Sequence, residues 1–340
     1  MIKKKLSMRD IALKCGTSIT TVSFVINGLG KEKNISSAMI AKIQKHIAKV
    51  GYRPHSMAQG LRTGKSKTIG FLVDDISEPF FSGIAKYVDE VAAENGYKIL
   101  FCCTGNSRQK TAELLSMLSD RQLDGYIMAL AEGVEDQIAP LLSNNVPTVL
   151  FDRYLPNVDC DQVIVDNYES VYKATNHLID QGYTKITYIG AKTSQQQMID
   201  RFNGYLEAMK AHSLTQNVLE LNLPIESNDL LKNILVKNLP EAFIFSANYI
   251  SMHALRTILE VDKHIFNKVA MVSFDDLELF KFLPVPITAI EQPIKTIAEK
   301  IMDIILERLA GKGGNKSIKY IVKTNLNVRA SSIGKIERIS

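Results

Sequence analysis

No stretch of this sequence is apolar for long enough to cross a bilayer: runs such as Thr68 to Val73 and Lys98 to Cys103 stop far short of the roughly 20 residues a membrane helix needs. The basic start Met1-Ile2-Lys3-Lys4-Lys5 leads into a polar helical pattern instead of an apolar core and cleavage site, so export is not expected. Cysteine is sparse. Cys15, Cys102, Cys103 and Cys160 show no C-x-x-C or Cys/His ligand spacing, and buried free thiols in a cytoplasmic protein are the expectation. A redox pair at Cys102 and Cys103 is the alternative, but no polar surroundings there would stabilise a thiolate. Catalytic signatures are missing too. Asp74-Asp75-Ile76-Ser77-Glu78-Pro79 stands where a G-x-G-x-x-G turn would have to let a pyrophosphate approach the backbone. There is no P-loop or G-x-S-x-G elbow, and the six histidines have no metal-ligand spacing, so neither enzyme activity, cofactor nor metal is expected.

Acidic residues are missing from one end. Residues 1–67 hold 14 Lys or Arg against Asp10 and Glu32 alone, a local charge of +12, which leaves −7 for the rest of a chain whose total is +5. A basic head on an acidic body suits attachment to a polyanion through that head, because each neutralised phosphate releases counterions. The head reads as folded. Ser7-Met8-Arg9-Asp10 is a capping box, and Met8, Ile11, Ala12 and Cys15 recur at helical spacing before the Gly16-Thr17 break. Ser18 caps a second helix from Ile19 towards Ile26 that buries Val22, Val25 and Ile26, and Asn27-Gly28 ends it. A third starts at Ser36 and runs through Met39, Ile40, Ile43, Ile47 and Val50 to a stop at Gly51. Two helices joined by so short a turn are the unit that sets its second helix in the major groove.

These residues carry a family resemblance. Asp10-Ile11-Ala12, Ser18-Ile19-Thr20-Thr21-Val22-Ser23, Val25-Ile26-Asn27 and Gly51-Tyr52-Arg53-Pro54 resemble the head of lactose-repressor-type (LacI/GalR) regulators. The resemblance implies double-stranded operator DNA as partner. It puts Ile19, Thr20 and Phe24 at base edges and Thr21 and Ser23 near phosphate, with Asn27 completing the set. Ile19 and Phe24 stand where that family often has polar readers, so contact with thymine methyls is expected more than bidentate hydrogen bonds. Helical spacing alone equally allows Phe24 in the small core. The stretch His55 to Gly64 resembles the family's hinge helix, with Leu61 as the candidate minor-groove wedge. The alternative is an ordinary linker, which Gly60 favours.

From Thr68 the pattern changes to short apolar strands separated by amphipathic helices. Strands are expected at Ile69–Val73, Ile99–Cys103, Tyr126–Leu130 and Val149–Phe151, then at Gln162–Val165, Ile186–Ile189, Phe243–Phe245, Val269–Val272 and Thr288–Ile290. Such alternation requires parallel sheets covered on both faces, and two series imply two lobes with a ligand cleft at their strand C-terminal ends. The paired acids Asp74-Asp75 and Asp275-Asp276 are read as acceptors for ligand hydroxyls in preference to catalytic carboxylates. Glu78-Pro79-Phe80-Phe81, Phe151-Asp152-Arg153, Val165-Asp166-Asn167, Asp200-Arg201-Gly204 and Ser273-Phe274-Asp275-Asp276 resemble the same family's effector-binding body, itself similar to periplasmic sugar-binding proteins.

The resulting expectation is an α/β protein: an all-α helix-turn-helix head (residues 1–53), a hinge (54–66), and a periplasmic-binding-protein-like body (67–340) of two parallel lobes. The N-lobe would hold 67–164 and 293–322, the C-lobe 165–292 and 323–340. The likeness implies a carbohydrate effector held by Arg201, Asn248 and Asp275, faced by Asp152, stacked on Phe80 or Phe81, and selected by Gln195 and Gln197. A nucleoid-associated homodimeric repressor follows, since one head makes too few base contacts, and the apolar residues Ile84, Val88, Val91, Ile99 and Ile297 to Leu309 offer candidate dimer surface, though much of it must cover the sheets. The alternatives are a non-regulatory sugar-binding or sugar-modifying protein, an activator, and a regulator recruited by a protein partner.

Overall fold

The computed structural model describes residues 7–52, 65–222, 229–314 and 316–334; Leu61 and the segment 53–64 lie outside the described residues. The chain divides into two compact units, residues 1–66 and 67–340.

The described residues of the first unit form three helices: α1 (Met8–Cys15), α2 (Ile19–Ile26) and α3 (Ser37–Val50). The capping box is present as read. The Asp10 amide donates to Ser7 Oγ at 3.3 Å, and the Ser7 amide donates to the Asp10 carboxylate at 2.8 Å. Gly16 ends α1 at φ +66°, a left-handed conformation that costs glycine little, and Ser18 begins α2 two residues later. Ile11, Ala12, Cys15, Val22, Val25 and Ile43 are buried together. Ile26, expected inside, is half-buried, and Met39, Ile40 and Ile47 pack around the rim of this small core.

The second unit contains two six-stranded sheets. The first holds β1 (Thr68–Val73), β2 (Lys98–Cys103), β3 (Gly125–Met128), β4 (Thr148–Phe151), β5 (Asp161–Val165) and β11 (Lys319–Val322), in the order β11-β5-β4-β3-β1-β2. The other holds β6 (Ile186–Ala191), β7 (Asn217–Leu221), β8 (Ala242–Phe245), β9 (Ala270–Phe274), β10 (Thr288–Glu291) and β12 (Asn325–Asn327), in the order β12-β10-β9-β8-β6-β7. Every pairing is parallel except β10 with β12. The chain passes between sheets after β5, after β10 and between β11 and β12. At the last crossing Asp166 accepts from the Thr324 amide and hydroxyl, both at 2.9 Å.

Several expectations are corrected by this layout. Strands β7, β11 and β12 were not foreseen; each is a short edge strand with exposed positions, so none shows the continuous apolar run of a central parallel strand. The third strand ends at Met128, two residues before Leu130, and the ninth runs Ala270–Phe274. Cys15 and Cys160 are buried thiols, but Cys102 and Cys103 are only half-buried, because β2 is an edge strand. Much of the candidate dimer surface does cover a sheet, as expected. Ile84, Val88, Ile297, Ile301 and Ile305 are fully or almost fully buried where the helices Pro79–Glu94 and Ile294–Leu309 cover the first sheet. Among the described residues, no helix is long and apolar enough to cross a membrane.

Candidate functional site

On the head, α2 presents the residues singled out for DNA. Ile19 is 46% exposed and Thr20 is exposed beside it, so an apolar and a hydroxyl side chain point outward from the helix start. Thr21 and Ser23 are half-buried. The Thr21 hydroxyl shares a 2.9 Å hydrogen bond with Ser18, whose oxygen also accepts from the Thr21 amide at 3.0 Å. Phe24 is half-buried, with the Lys33 ammonium 5.6 Å from its ring centre. Asn27 uses its side-chain amide to cap α2, donating to the Ser23 carbonyl at 2.6 Å. Its role is at least partly to end the helix.

In the body, all eight residues proposed for a ligand line one cavity of about 160 Å³: Phe80, Phe81 and Asp152 from the first sheet's side, and Gln195, Gln197, Arg201, Asn248 and Asp275 from the second's. They lie past the C-terminal ends of β1, β4, β6, β8 and β9, where loops of parallel strands converge. Asp152 and Asp275 follow β4 and β9 directly, and both adopt left-handed backbone, at φ +58° and +69°. Aspartate tolerates that region better than most residues, and the turn it makes sets each carboxylate at the strand tip. Phe80 and Phe81 do two jobs: they pack in the main core, ring against ring at 5.3 Å, and also line the cavity.

Arg201 is the most firmly held. Only 4% exposed, it donates from Nε to Asn167 Oδ1 at 2.8 Å and from Nη1 to the Ser246 carbonyl at 2.9 Å. Its guanidinium stacks 3.4 Å from the Phe274 ring centre, and Nη2 lies 4.0 Å from Asp152. Among the described residues Arg201 forms no ion pair with its helix neighbours Asp200 and Glu207. Asp200 instead accepts from the Tyr154 hydroxyl and from Gln196, both at 2.8 Å. Burial pushes the Asp152 carboxyl up to about 6, against the pull of Arg153 and Arg201. Asp275 accepts from Gln292 Nε2 at 2.7 Å, and Asn248 Nδ2 reaches across to Glu78 at 3.5 Å. At the rim, Glu132 accepts from the Thr193 and Ser194 hydroxyls and from the Ser194 amide at 3.0 Å, tying a loop of the first sheet to one of the second.

The cavity also contains residues the sequence reading left outside the site, notably Arg153, Tyr249 and Gln292. Gln292 had a usable signal: it follows β10 immediately, as Asp275 follows β9. Arg153 is adjacent to Asp152, and only the fold shows it reaching Asp74 and Asn106. Among the described residues no group of three His, Cys, Asp or Glu could hold a metal ion.

Comparison with known proteins agrees with this architecture. Residues 7–55 match the model for bacterial regulatory proteins of the lacI family, and residues 175–332 match that for a periplasmic binding protein-like domain. The HTH-type transcriptional regulator KdgR of Bacillus subtilis (strain 168) is 31% identical over 325 residues, covering 93% of this chain and 95% of that protein. The lac repressor dimer bound to operator and the anti-inducer ONPF superposes with a TM-score of 0.83 at 19% identity, over 97% of this chain and 100% of that one. The transcriptional regulator CelR in complex with cellobiose does so at 0.69 and 22% identity, over 96% and 99%.

Proposed function

Given that the chain belongs to the lacI family of bacterial regulatory proteins, we propose that it works in the cytoplasm as a homodimeric repressor of a pseudo-palindromic operator, with a carbohydrate in the body setting its affinity for DNA. The protein is a DNA-binding transcriptional regulator. The sugar, the dimer and the repression are the proposed part. One observation carries the sugar: aromatic, amide, guanidinium and carboxylate groups from both sheets converge on a single cavity. Such a lining suits a polyol, whose hydroxyls pair with the polar groups while a ring face packs on Phe80 or Phe81. The relatives support the same reading, one solved with operator and another with cellobiose.

On the DNA side, Ile19 and Thr20 would meet base edges, Phe24 a thymine methyl beside them, Thr21 and Ser23 the phosphates, Asn27 the end of the helix, and Leu61 the minor groove. A sugar that prefers one of two lobe arrangements shifts DNA affinity by its differential affinity for the two states. The test is selection of bound duplexes from a random DNA pool with full-length protein, followed by titration of neutral sugars, sugar acids and sugar phosphates into the winning complex. An enriched palindrome whose binding responds to one of these compounds is the expected result. No enrichment, or enrichment indifferent to every sugar, overturns the reading.

A further inference from the structure

The cavity carries more negative charge than its positive groups can absorb. Five carboxylates line it, Asp74, Asp75, Glu78, Asp152 and Asp275, against the guanidiniums of Arg153 and Arg201. Each guanidinium is engaged in part, and Arg153 Nε is buried without a hydrogen-bond partner, 3.7 Å from Asp152. Arg153 donates to Asn106 at 3.0 Å and pairs with Asp74, and Arg201 is held by Asn167, the Ser246 carbonyl and Asp152. Glu78 differs from the other acids on the inner wall. Among the described residues it pairs with no lysine or arginine, its side-chain contact is the long one to Asn248, and burial with nearby Asp74, Asp75 and Asp275 raises its pKa.

On the described lining, two unfilled hydrogen-bond acceptors stand against one unfilled donor, Arg153 Nε. A carboxylate can only accept, so Gln292 must turn Nε2 toward Asp275, which leaves its Oε1 without a partner on a residue 6% exposed. Gln197, 4% exposed, gives Nε2 to Gln195 at 3.0 Å and likewise keeps Oε1 unpartnered. Buried acceptors of this kind cost free energy until a donor reaches them. A hydroxyl-rich molecule supplies donors. A ligand carboxylate, when ionised, supplies none to these two oxygens, and it brings further negative charge to a lining that already holds five carboxylates against two guanidiniums.

We propose that the cavity takes an uncharged, hydroxyl-rich ligand and turns away carboxylated and phosphorylated sugars, with Glu78 as the residue that sets this discrimination. The inference rests on the carbohydrate reading above. Glu78 lies at the start of the helix Pro79–Glu94, whose next residues are Phe80 and Phe81, so one short segment supplies both an aromatic face and an acceptor. In this arrangement its carboxylate accepts a ligand hydroxyl while Asn248 holds its other side.

The experiment is isothermal titration of the full-length protein with matched sets: glucose, glucuronate and glucose 6-phosphate; galactose and galacturonate; ribose and ribose 5-phosphate. At least one neutral sugar should bind at least tenfold more tightly than its own acid or phosphate. Glu78→Gln should narrow that gap by about tenfold, and Asp75→Asn, on the exposed rim, should change it less. Wild-type protein that binds an anionic sugar as well as its neutral parent overturns the inference and leaves the carbohydrate reading standing. So does a gap that Glu78→Gln leaves intact, or that Asp75→Asn closes equally well, for the assignment to Glu78. If no sugar of any class binds, the carbohydrate reading falls and this inference falls with it.

Discussion

The head and the body keep their chemistry in opposite places. On α2 the outward residues Ile19 and Thr20 are exposed, and the core beneath them consists of six buried side chains. In the body the corresponding groups are interior: Arg201, Gln197 and Asn248 are 4%, 4% and 6% exposed, each held before any ligand arrives. An exposed surface gains most of its energy when a partner covers it, whereas a buried polar site is already constrained by partners of its own. Mutations should therefore act differently in the two regions. A change on the face of α2 should alter binding and leave folding alone, but a change in the cavity should alter both.

Arg201→Ala is the sharpest test of the second half of that statement. It removes the donor to Asn167 and Ser246 and the cation over Phe274, and leaves the buried Asp152 with Arg153 as its remaining cation. Breaking a buried charged network of this kind costs about 4 kcal/mol. Denaturant unfolding should show that loss, and sugar titration should show no response. Retained stability with lost binding would mean the cavity is no more constrained than the head.

The next largest effect lies behind the site. Gly204 sits where the helix Gln196–Ala211 crosses Asn167–Asp180, and a Cβ there would press on the Tyr168 carbonyl and come within 3.0 Å of the Tyr172 amide nitrogen. Backbone cannot move aside as a side chain can. Gly204→Ala should cost about 3 kcal/mol in the same unfolding assay. It should also weaken sugar binding, because Arg201 and its partner Asn167 ride on the two helices being forced apart. A stable variant with intact binding would show that the crossing is more compliant than the geometry says.

These cases also separate what is local in the sequence from what only the fold brings together. The head was legible almost to the residue, because caps, helical spacing and turn glycines are local signals: Ser7 with Asp10, Gly16, Ser18, and Gly51 all act within a few positions of themselves. The body's central strands were legible for a related reason, as burial on both faces leaves an apolar run. Edge strands β7, β11 and β12 leave no such trace, and the half-buried cysteines of β2 show the same blind spot from the other side. Gly204 was noticed as part of a motif, but only the helix crossing explains why nothing larger fits. The Glu132 contacts with Thr193 and Ser194 span about 60 residues, and no periodicity announces a pairing of that kind.

A pH dependence separates the regions further. The Asp152 carboxyl is raised from 3.8 to about 6 by burial, so between those values the folded chain holds a proton that the unfolded chain has released. Stability from this group is present below pH 4 and is lost as pH rises through 6. The half-buried Glu78, also raised, acts with the same sign. Asp152→Asn should flatten the change in unfolding free energy between pH 4 and 6 by about 2 kcal/mol. An unchanged slope would place the titrating group elsewhere.

The smallest predicted effect is in the head, where one hydrogen-bonded cap is a large share of what holds the first turn. Ser7→Ala removes the acceptor for the Asp10 amide and the hydroxyl that donates to Asp10 Oδ2 at 2.7 Å, and leaves only the backbone half of the box. Losing such a cap costs about 1 kcal/mol. That is small beside Arg201, yet α1 is eight residues long and rests on the few side chains around Ile11 and Val22. Hydrogen exchange can resolve it: the amides of Asp10 and Ile11 should lose roughly fivefold protection, as 1 kcal/mol implies. Amides in β3 and β8, central strands that Ser7 does not touch, should exchange at their former rates. Loss of protection in those strands as well would mean that stability is shared between head and body, and the contrast between an exposed site on a slight core and a buried site in a constrained one would no longer hold.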